Sequence, residues 1–363
     1  VKHAVPAWDS AYILIPWWMY KYYGDERILK KHYKQMKKYL EYLGSRAEGN
    51  IVREGLGDWL APGGEWEEPD LTSTAYYYLD TNILAKIAGI LGNEKDKEKF
   101  EKLQNKIKND FNQEFFNKTK NIYEIGDEED YRQTSNIIPL AFGLIPQSND
   151  KQAIVNNLVK DIKKNHDSHL NTGIIGTKYI LKVLTENGFV DLAYEIAAQK
   201  TYPSWGYWVE LGATSLYEKW EKDSRSFNHH MYGTIEDWFY KSLAGITPLQ
   251  PGFKSVKIKP YLPEKLNEIK CKKNTLRGEI ISYWKKKLNQ IEFRVKIPVN
   301  TKGEVYLPLG RVLEKDFTIE NNISGVIFCE RKEDYLKFKV NRPGKYVFDC
   351  LINENKIVLK NKN

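Results

Sequence analysis

The chain has 363 residues, of which 41% are hydrophobic and 29% charged, a balance that excludes intrinsic disorder and leaves room for two domains. No apolar run reaches the ~18–20 residues of a membrane span, and the opening VKHAVPAWDS has no basic stretch leading into an apolar one, so neither a membrane partner nor a secretory signal is predicted. The net charge of +8 comes from lysines spread along solvated helix faces such as KDKEKFEKLQNKIKND, with acidic residues between them, which argues against a nucleic-acid partner.

From Ala11 to about Gly245 the apolar spacing is helical. Leu79, Ile83, Ile87 and Leu91 recur at i, i+4 and stop at Gly92, a suitable residue for closing a helix. Helices are predicted at about 10–23, 26–43, 71–91, 95–116, 131–143, 150–165, 173–187, 189–200, 208–222 and 230–244. They pair as hairpins whose connections alternate between short ones at Gly24, Gly92 and Gly188 and long aromatic ones at Ala47–Asp70, Asn117–Tyr131 and Tyr202–Tyr207. The long loops are therefore expected to gather at one end.

After Ile246 the period becomes two. Val256 and Ile258, then Ile291, Phe293, Val295, Ile297 and Val299, then Leu336, Phe338 and Val340 alternate with charged residues, as half-buried strands do, and Asn300–Gly303 and Arg342–Gly344 supply turns. The reading is a multidomain α and β chain: an α/α helical domain over 1–248 and an antiparallel β-sandwich over 251–363. Cys271, Cys329 and Cys350 are odd in number and far apart, so neither a zinc cluster nor a disulfide framework is indicated, and a reducing compartment, the cytoplasm, is expected.

Phosphate loops, dinucleotide fingerprints, HExxH and GxSxG are absent. His229 and His230 are neighbours, which on a helix point about 100° apart and do not share a metal, so no metal or cofactor is predicted. The remaining signal is aromatic: there are 24 Tyr and 10 Trp, with nine of the Trp before residue 240. Carboxylates among aromatic loops suit glycoside cleavage, which needs an acid, a base or nucleophile, and a platform for the sugar ring. The densest such cluster is YPSWGYWVELGATSLYEKW.

That segment resembles the signature of the family 78 α-L-rhamnosidases. AWDSAYILIPWWMYKYYGD, GDWL, HLNTGIIGT, SFNHHMYGTIEDWFY and PGFKSVKIKPYLP agree with it in order and spacing, from about residue 7 into the predicted sandwich. The resemblance implies an (α/α)6 barrel followed by a β-sandwich, acting on a rhamnose-containing glycoside or oligosaccharide with inversion and without a cofactor. By the same resemblance Glu218 is the general base, with Glu210 and Glu221 on the same stretch as alternatives, and His229 hydrogen-bonds sugar hydroxyls. Trp8 and Trp59 match aromatic walls of the rhamnose site. Asp58, Asp9 and Trp205 are weaker matches, read either as hydroxyl ligands or as residues that stabilise loops. Core packing is the competing reading for Trp8 and Trp59, and a surface helix residue pairing with Lys219 or Arg225 is the competing reading for Glu218.

Two rivals stand beside this reading: a non-catalytic carbohydrate-binding relative, and an α/α-barrel enzyme acting on another sugar. Six helix hairpins need twelve helices, whereas ten are read, so an incomplete barrel lacking its first hairpin is expected. Nothing between Val1 and Trp8 matches the Asp/Glu/Arg-rich loop and Gly-Trp-Thr-Gly-Asp stretch that carry the general acid in the rhamnosidases it resembles. The sequence is therefore expected to be a fragment that holds the base but not the acid, with an exposed barrel side that favours self-association or pairing with the missing N-terminal part.

Overall fold

The computed structural model describes residues 5–64, 68–126, 131–146, 148–309, 312–332 and 334–361; residues 65–67 and 127–130 of two predicted loops, and 1–4 before Trp8, lie outside the described residues. The helices are α1 (Ala11–Tyr23), α2 (Arg27–Arg46), α3 (Pro69–Ile90), α4 (Glu94–Phe115), α5 (Gln133–Phe142), α6 (Ser148–Lys164), α7 (Ile174–Glu186), α8 (Val190–Ala197), α9 (Trp205–Glu210) and α10 (Ile235–Trp238). A 3-10 turn at Met231–Thr234 leads into α10, and a π-turn at Phe239–Leu243 follows it. The chain forms two compact units, Val1–Trp17 with Arg27–Ile235, and Trp18–Glu26 with Glu236–Asn363.

The first unit is built of helix hairpins in two layers. α3 reads PDLTSTAYYYLDTNILAKIAGI, with few charged residues, and it is buried from Leu71 to Ala88 apart from a few positions. It packs beside α5, and α5 beside α7, so these three helices form the inner layer. α2 buries Leu29, Tyr33, Met36, Leu40 and Leu43 on one face and turns its lysines outward; α4 does the same with Phe100, Ile107, Phe111 and Phe115. These amphipathic helices form the outer layer together with α6 and α8, each packed on the inner helix next to it in sequence. α3 ends as expected, with Leu91 as its cap and Gly92 left-handed at φ 74°. A short hairpin, β1 (Phe116–Asn117) with β2 (Ile122–Tyr123), precedes α5.

One predicted helix is corrected. The stretch 208–222 holds helix only to Glu210, after which Gly212 at φ 83° ends it and the chain runs irregularly through Trp220. Spacing of Trp208, Leu211, Tyr217 and Trp220 imitates a helical face. In a helix, however, Trp208 and Trp220 would lie ~18 Å apart along the axis. Their rings instead stack at 4.7 Å and 18°, because doubling back buries both indoles against each other.

The second unit is a β-sandwich. One sheet has the order β10 (Val326–Lys332), β11 (Tyr335–Val340), β8 (Lys302–Leu307), β4 (Ser255–Ile258), β3 (Ile246–Pro248). The other runs β5 (Glu268–Thr275), β6 (Gly278–Lys287), β7 (Gln290–Ile297), β12 (Gly344–Leu351), β13 (Lys356–Asn361), β9 (Thr318–Glu320). Pairing is antiparallel except between β4 and β8 and between β13 and β9, which are parallel. The inward residues of both sheets, among them Val256, Val305, Phe338, Trp284, Phe293 and Phe348, make one core, and Phe338 meets Phe348 at 5.2 Å between ring centres. Trp18–Glu26 belongs to this unit because Tyr22 packs on Phe253, and because the backbones of Gly24 and Gly252 approach so closely that a Cβ on Gly252 would lie 3.1 Å from Tyr23 O.

Candidate active site

The loops entering the N-terminal ends of the inner helices converge in the first unit. Asp58, in the loop before α3, is 2% exposed and faces the start of α7. Its Oδ2 accepts from the Gly173 N–H at 2.7 Å and from the Thr134 hydroxyl, and its Oδ1 accepts from Ile175 and Gly176 N–H at 2.8 and 3.1 Å. These amides are among the unsatisfied donors of a helix start, so Asp58 caps α7 from a distant loop. Burial pushes its carboxyl up, and the four hydrogen bonds act in the opposite direction. Both oxygens are doubly engaged, and of the two readings of Asp58, hydroxyl ligand or loop stabiliser, these bonds support the second, with Asp58 holding the loop that carries Trp59. That loop is fastened again where Trp59 O accepts from Ile174 N–H at 2.9 Å and Leu60 O from the Tyr232 hydroxyl at 2.8 Å. The Trp59 side chain itself stays half-buried.

Trp205 lies among the buried residues of the first unit. It is 7% exposed, its indole N–H donates to Tyr232 O at 3.0 Å, and its ring meets Trp220 edge-on at 5.4 Å. Trp208, Trp220 and Tyr232 complete this buried aromatic cluster, with Trp220 donating to Thr172 O at 3.0 Å. The cluster is the foundation of the irregular segment that follows α9.

On that segment, the His229 N–H donates to Leu216 O at 2.8 Å and the Glu218 N–H to Ser226 O at 2.9 Å. These two cross-links register Leu216–Glu218 against Ser226–His229, so Glu218 and His229 lie on adjacent, oppositely running stretches. The Ser224 hydroxyl receives Glu218 N–H at 3.2 Å and tightens the turn between them. Glu218 is not on a helix, contrary to the helix predicted at 208–222. Its side chain is 16% exposed, and the exposed Arg225 guanidinium donates to Oε1 at 3.2 Å. Among the described residues no donor reaches Oε2. The two alternatives differ in this respect. Glu210 is exposed and pairs with Lys200 at 3.3 Å, whereas Glu221 Oε1 accepts from the Tyr202 hydroxyl and from Gly63 N–H at 2.9 and 3.0 Å.

Trp8 and Asp9 precede α1. Asp9 Oδ2 accepts from Val5 N–H at 2.9 Å, a local loop-stabilising bond, and Trp8 is half-buried. A Cβ on Gly55 would lie 3.7 Å from Pro6 Cδ, which sets this stretch beside the loop carrying Asp58 and Trp59. Burial pushes the Tyr232 phenol up, and the charges of Asp58, Glu221, Tyr202 and Glu218 add to it in that order. Tyr202, Glu221 and Tyr232 were not singled out in the sequence as holding residues; the aromatic density around YPSWGYW was the available signal. Gly173 and Gly176 had a clearer one in HLNTGIIGT, since a Cβ on either would lie 2.3 Å from Trp59 O or 2.0 Å from Thr134 Oγ1. The first unit thus holds a carboxylate with an unengaged oxygen, a histidine on the stretch cross-linked to it, and half-buried indoles on nearby loops, residue types that can take a proton from water and bind a sugar ring.

Residues 1–243 match the model of the bacterial α-L-rhamnosidase six-hairpin glycosidase domain, and 245–318 that of the bacterial α-L-rhamnosidase C-terminal domain. An α-L-rhamnosidase of Alteromonas sp. (strain LOR) is 32% identical over 96% of this chain and 38% of its own length; one of Formosa agariphila is 31% identical over 94% and 38%. The structure of α-L-rhamnosidase from Dictyoglumus thermophilum superposes with a TM-score of 0.87 at 37% identity, covering 96% of this chain and 40% of that one. The Streptomyces avermitilis α-L-rhamnosidase complexed with L-rhamnose gives 0.84 at 26%, covering 95% and 33%. The chain thus spans about two-fifths of the length of the curated relatives it matches most fully.

Proposed function

Because the chain belongs to the bacterial α-L-rhamnosidases of the six-hairpin type, we propose that the enzyme it forms removes terminal α-linked L-rhamnose from glycosides or oligosaccharides by inversion, with Glu218 as the general base. In this reading Glu218 Oε2 takes the proton of a water that attacks the anomeric carbon opposite the leaving group. His229, on the adjacent stretch, binds sugar hydroxyls, and Trp8 and Trp59 present ring faces to the sugar. Asp58 and Trp205 serve these residues from below, one by capping α7 and the other by supporting the aromatic cluster. The observation that supports the choice of base is that Glu218, 16% exposed, keeps an oxygen that no donor reaches among the described residues and is cross-linked through its backbone to the stretch of His229, whereas Glu210 is exposed and ion-paired and Glu221 is committed through Oε1 to Tyr202 and Gly63. The motif that carries the general acid in the rhamnosidases it resembles has no match in the 363 residues, so the proton donor is not assigned to this chain.

The test is to assay p-nitrophenyl α-L-rhamnoside beside a panel of other aryl glycosides with the intact enzyme, and to follow the released sugar by proton NMR before it mutarotates. Selective cleavage of the rhamnoside with β-L-rhamnose as first product is expected. Preference for another sugar, or first release of the α anomer, would refute the reading.

A further inference from the structure

The segment that carries Glu218 and the loop that carries Trp59 are joined at a point that the hydrolysis described above does not use. Gly63 sits in the Pro62–Gly64 turn at φ 75°, a conformation suited to glycine. Its N–H lies 3.0 Å from Glu221 Oε1 and 2.9 Å from the Tyr202 oxygen, and the Tyr202 hydroxyl donates to the same Glu221 oxygen at 2.9 Å. Three groups from three loops therefore close on one another. On one side of this ring, Trp220 separates Glu218 from Glu221 and is fully buried, so both carboxylates ride on a single anchored indole. On the other side, the backbone from Trp59 to Gly63 is already tied at Trp59 O and Leu60 O, and Gly63 is the point at which Glu221, from the segment of the base, holds it.

We infer that Glu221 and Tyr202 are positioning residues: by clamping Gly63 they fix the Trp59 wall against the segment that holds Glu218, and so set the separation between sugar platform and base. The inference rests on the rhamnosidase reading. Glu221 touches neither sugar nor water in this account; its carboxylate is the acceptor on which the two donors converge. Burial, and next the Glu221 carboxylate, push the Tyr202 phenol up to about 12, so it remains a donor across the working pH range.

The test uses the intact enzyme and p-nitrophenyl α-L-rhamnoside. Glu221→Ala should raise KM roughly tenfold, the size of a hydrogen bond to a charged group, while kcat and the melting temperature change little. Glu221→Gln keeps an oxygen acceptor and should restore most of the KM, with Tyr202→Phe falling between. Amide exchange at Gly63 should quicken in Glu221→Ala and not in Glu221→Gln, a readout that needs no substrate. Unchanged KM and unchanged Gly63 exchange in Glu221→Ala would overturn the inference, as would a loss confined to kcat that Gln does not rescue. Should the unmodified enzyme fail to cleave any rhamnoside, the rhamnosidase reading falls first and the inference with it; a rhamnoside-cleaving enzyme indifferent to Glu221 sinks the inference alone.

Discussion

Asp58 caps a helix that begins 116 residues further along the chain: its Oδ2 lies 2.7 Å from the amide of Gly173, the residue that precedes α7. The contact is possible only because Gly173 has no side chain, a Cβ there being 2.3 Å from Trp59 O and 2.5 Å from Asp58 O. Asp58→Asn replaces one oxygen by a donor facing other donors, and should destabilise the enzyme by ~1–3 kcal/mol. Gly173→Ala should cost a similar ~1–3 kcal/mol by forcing the Trp59 loop away. Asp9→Asn, at a single local bond to Val5, is the comparison and should stay within about 1 kcal/mol. Urea unfolding of the three variants ranks them; equal stability of Asp58→Asn and Asp9→Asn would remove the capping role.

This relationship also marks how far the sequence could be read. GDWL and HLNTGIIGT both stood out as motifs, but a motif does not say which polar atoms meet. The tight glycines of the second are there for the carboxylate of the first. Helix positions were legible because α2 and α4 have clean apolar stripes and because Leu79, Ile83 and Ile87 recur at i, i+4 along α3. The segment 208–222 was not, because its aromatic spacing satisfies a helical period while the energy is gained by stacking Trp208 on Trp220 after a reversal at Gly212. Trp59, between Asp58 and Leu60, and Trp205, between Ser204 and Gly206, are not told apart by their neighbours in sequence. Only the tertiary hydrogen bond of the Trp205 indole to Tyr232 O separates a buried support from a half-buried face.

Glu218→Gln leaves the shape of the side chain and removes its ability to accept a proton from water. It should lower kcat on rhamnosides by ~10²–10⁴-fold, with the melting temperature unchanged. Glu210→Gln, at an exposed ion pair with Lys200, should leave kcat within about twofold, since surface pairs of this kind contribute little. Steady-state kinetics on both variants decides, and near-normal turnover by Glu218→Gln removes it from the chemistry.

The two classes of tryptophan predict opposite phenotypes. Trp59→Ala and Trp8→Ala should weaken L-rhamnose binding with a small change in stability, since both side chains are only half-buried. Trp205→Ala should destabilise by ~3–5 kcal/mol through the cavity it leaves beside Trp220 and Tyr232. Calorimetric titration with rhamnose alongside thermal melts separates them. A Trp59→Ala enzyme that melts early yet binds normally would return Trp59 to the core.

Asp80, in the middle of the buried helix α3, predicts a pH dependence of stability that is independent of the chemistry. It is fully buried; the Ser10 hydroxyl donates to its Oδ2 at 2.6 Å, while its Oδ1 has no hydrogen-bond partner among the described residues. Burial pushes its carboxyl up to about 8 from the ordinary 3.8, with the Ser10 bond acting the other way, and burial followed by the Asp80 charge pushes the Tyr39 phenol up in turn. The folded state therefore keeps a proton on Asp80 that the unfolded chain releases near pH 4. Between about pH 4 and 8 the native state binds more protons than the unfolded one, so stability falls as pH rises, by up to ~1.4 kcal/mol per pH unit from this group, and levels off once the folded carboxyl ionises. The contribution is complete below the unfolded value and is lost as pH climbs through the folded one. Asp80→Asn supplies a neutral side chain that still offers an oxygen to Ser10, so it should flatten the melting profile between pH 5 and 8 and gain on the unmodified enzyme toward pH 8. Melting temperatures of the two proteins across that range test this directly, and parallel profiles would show that Asp80 does not hold its proton in the folded enzyme.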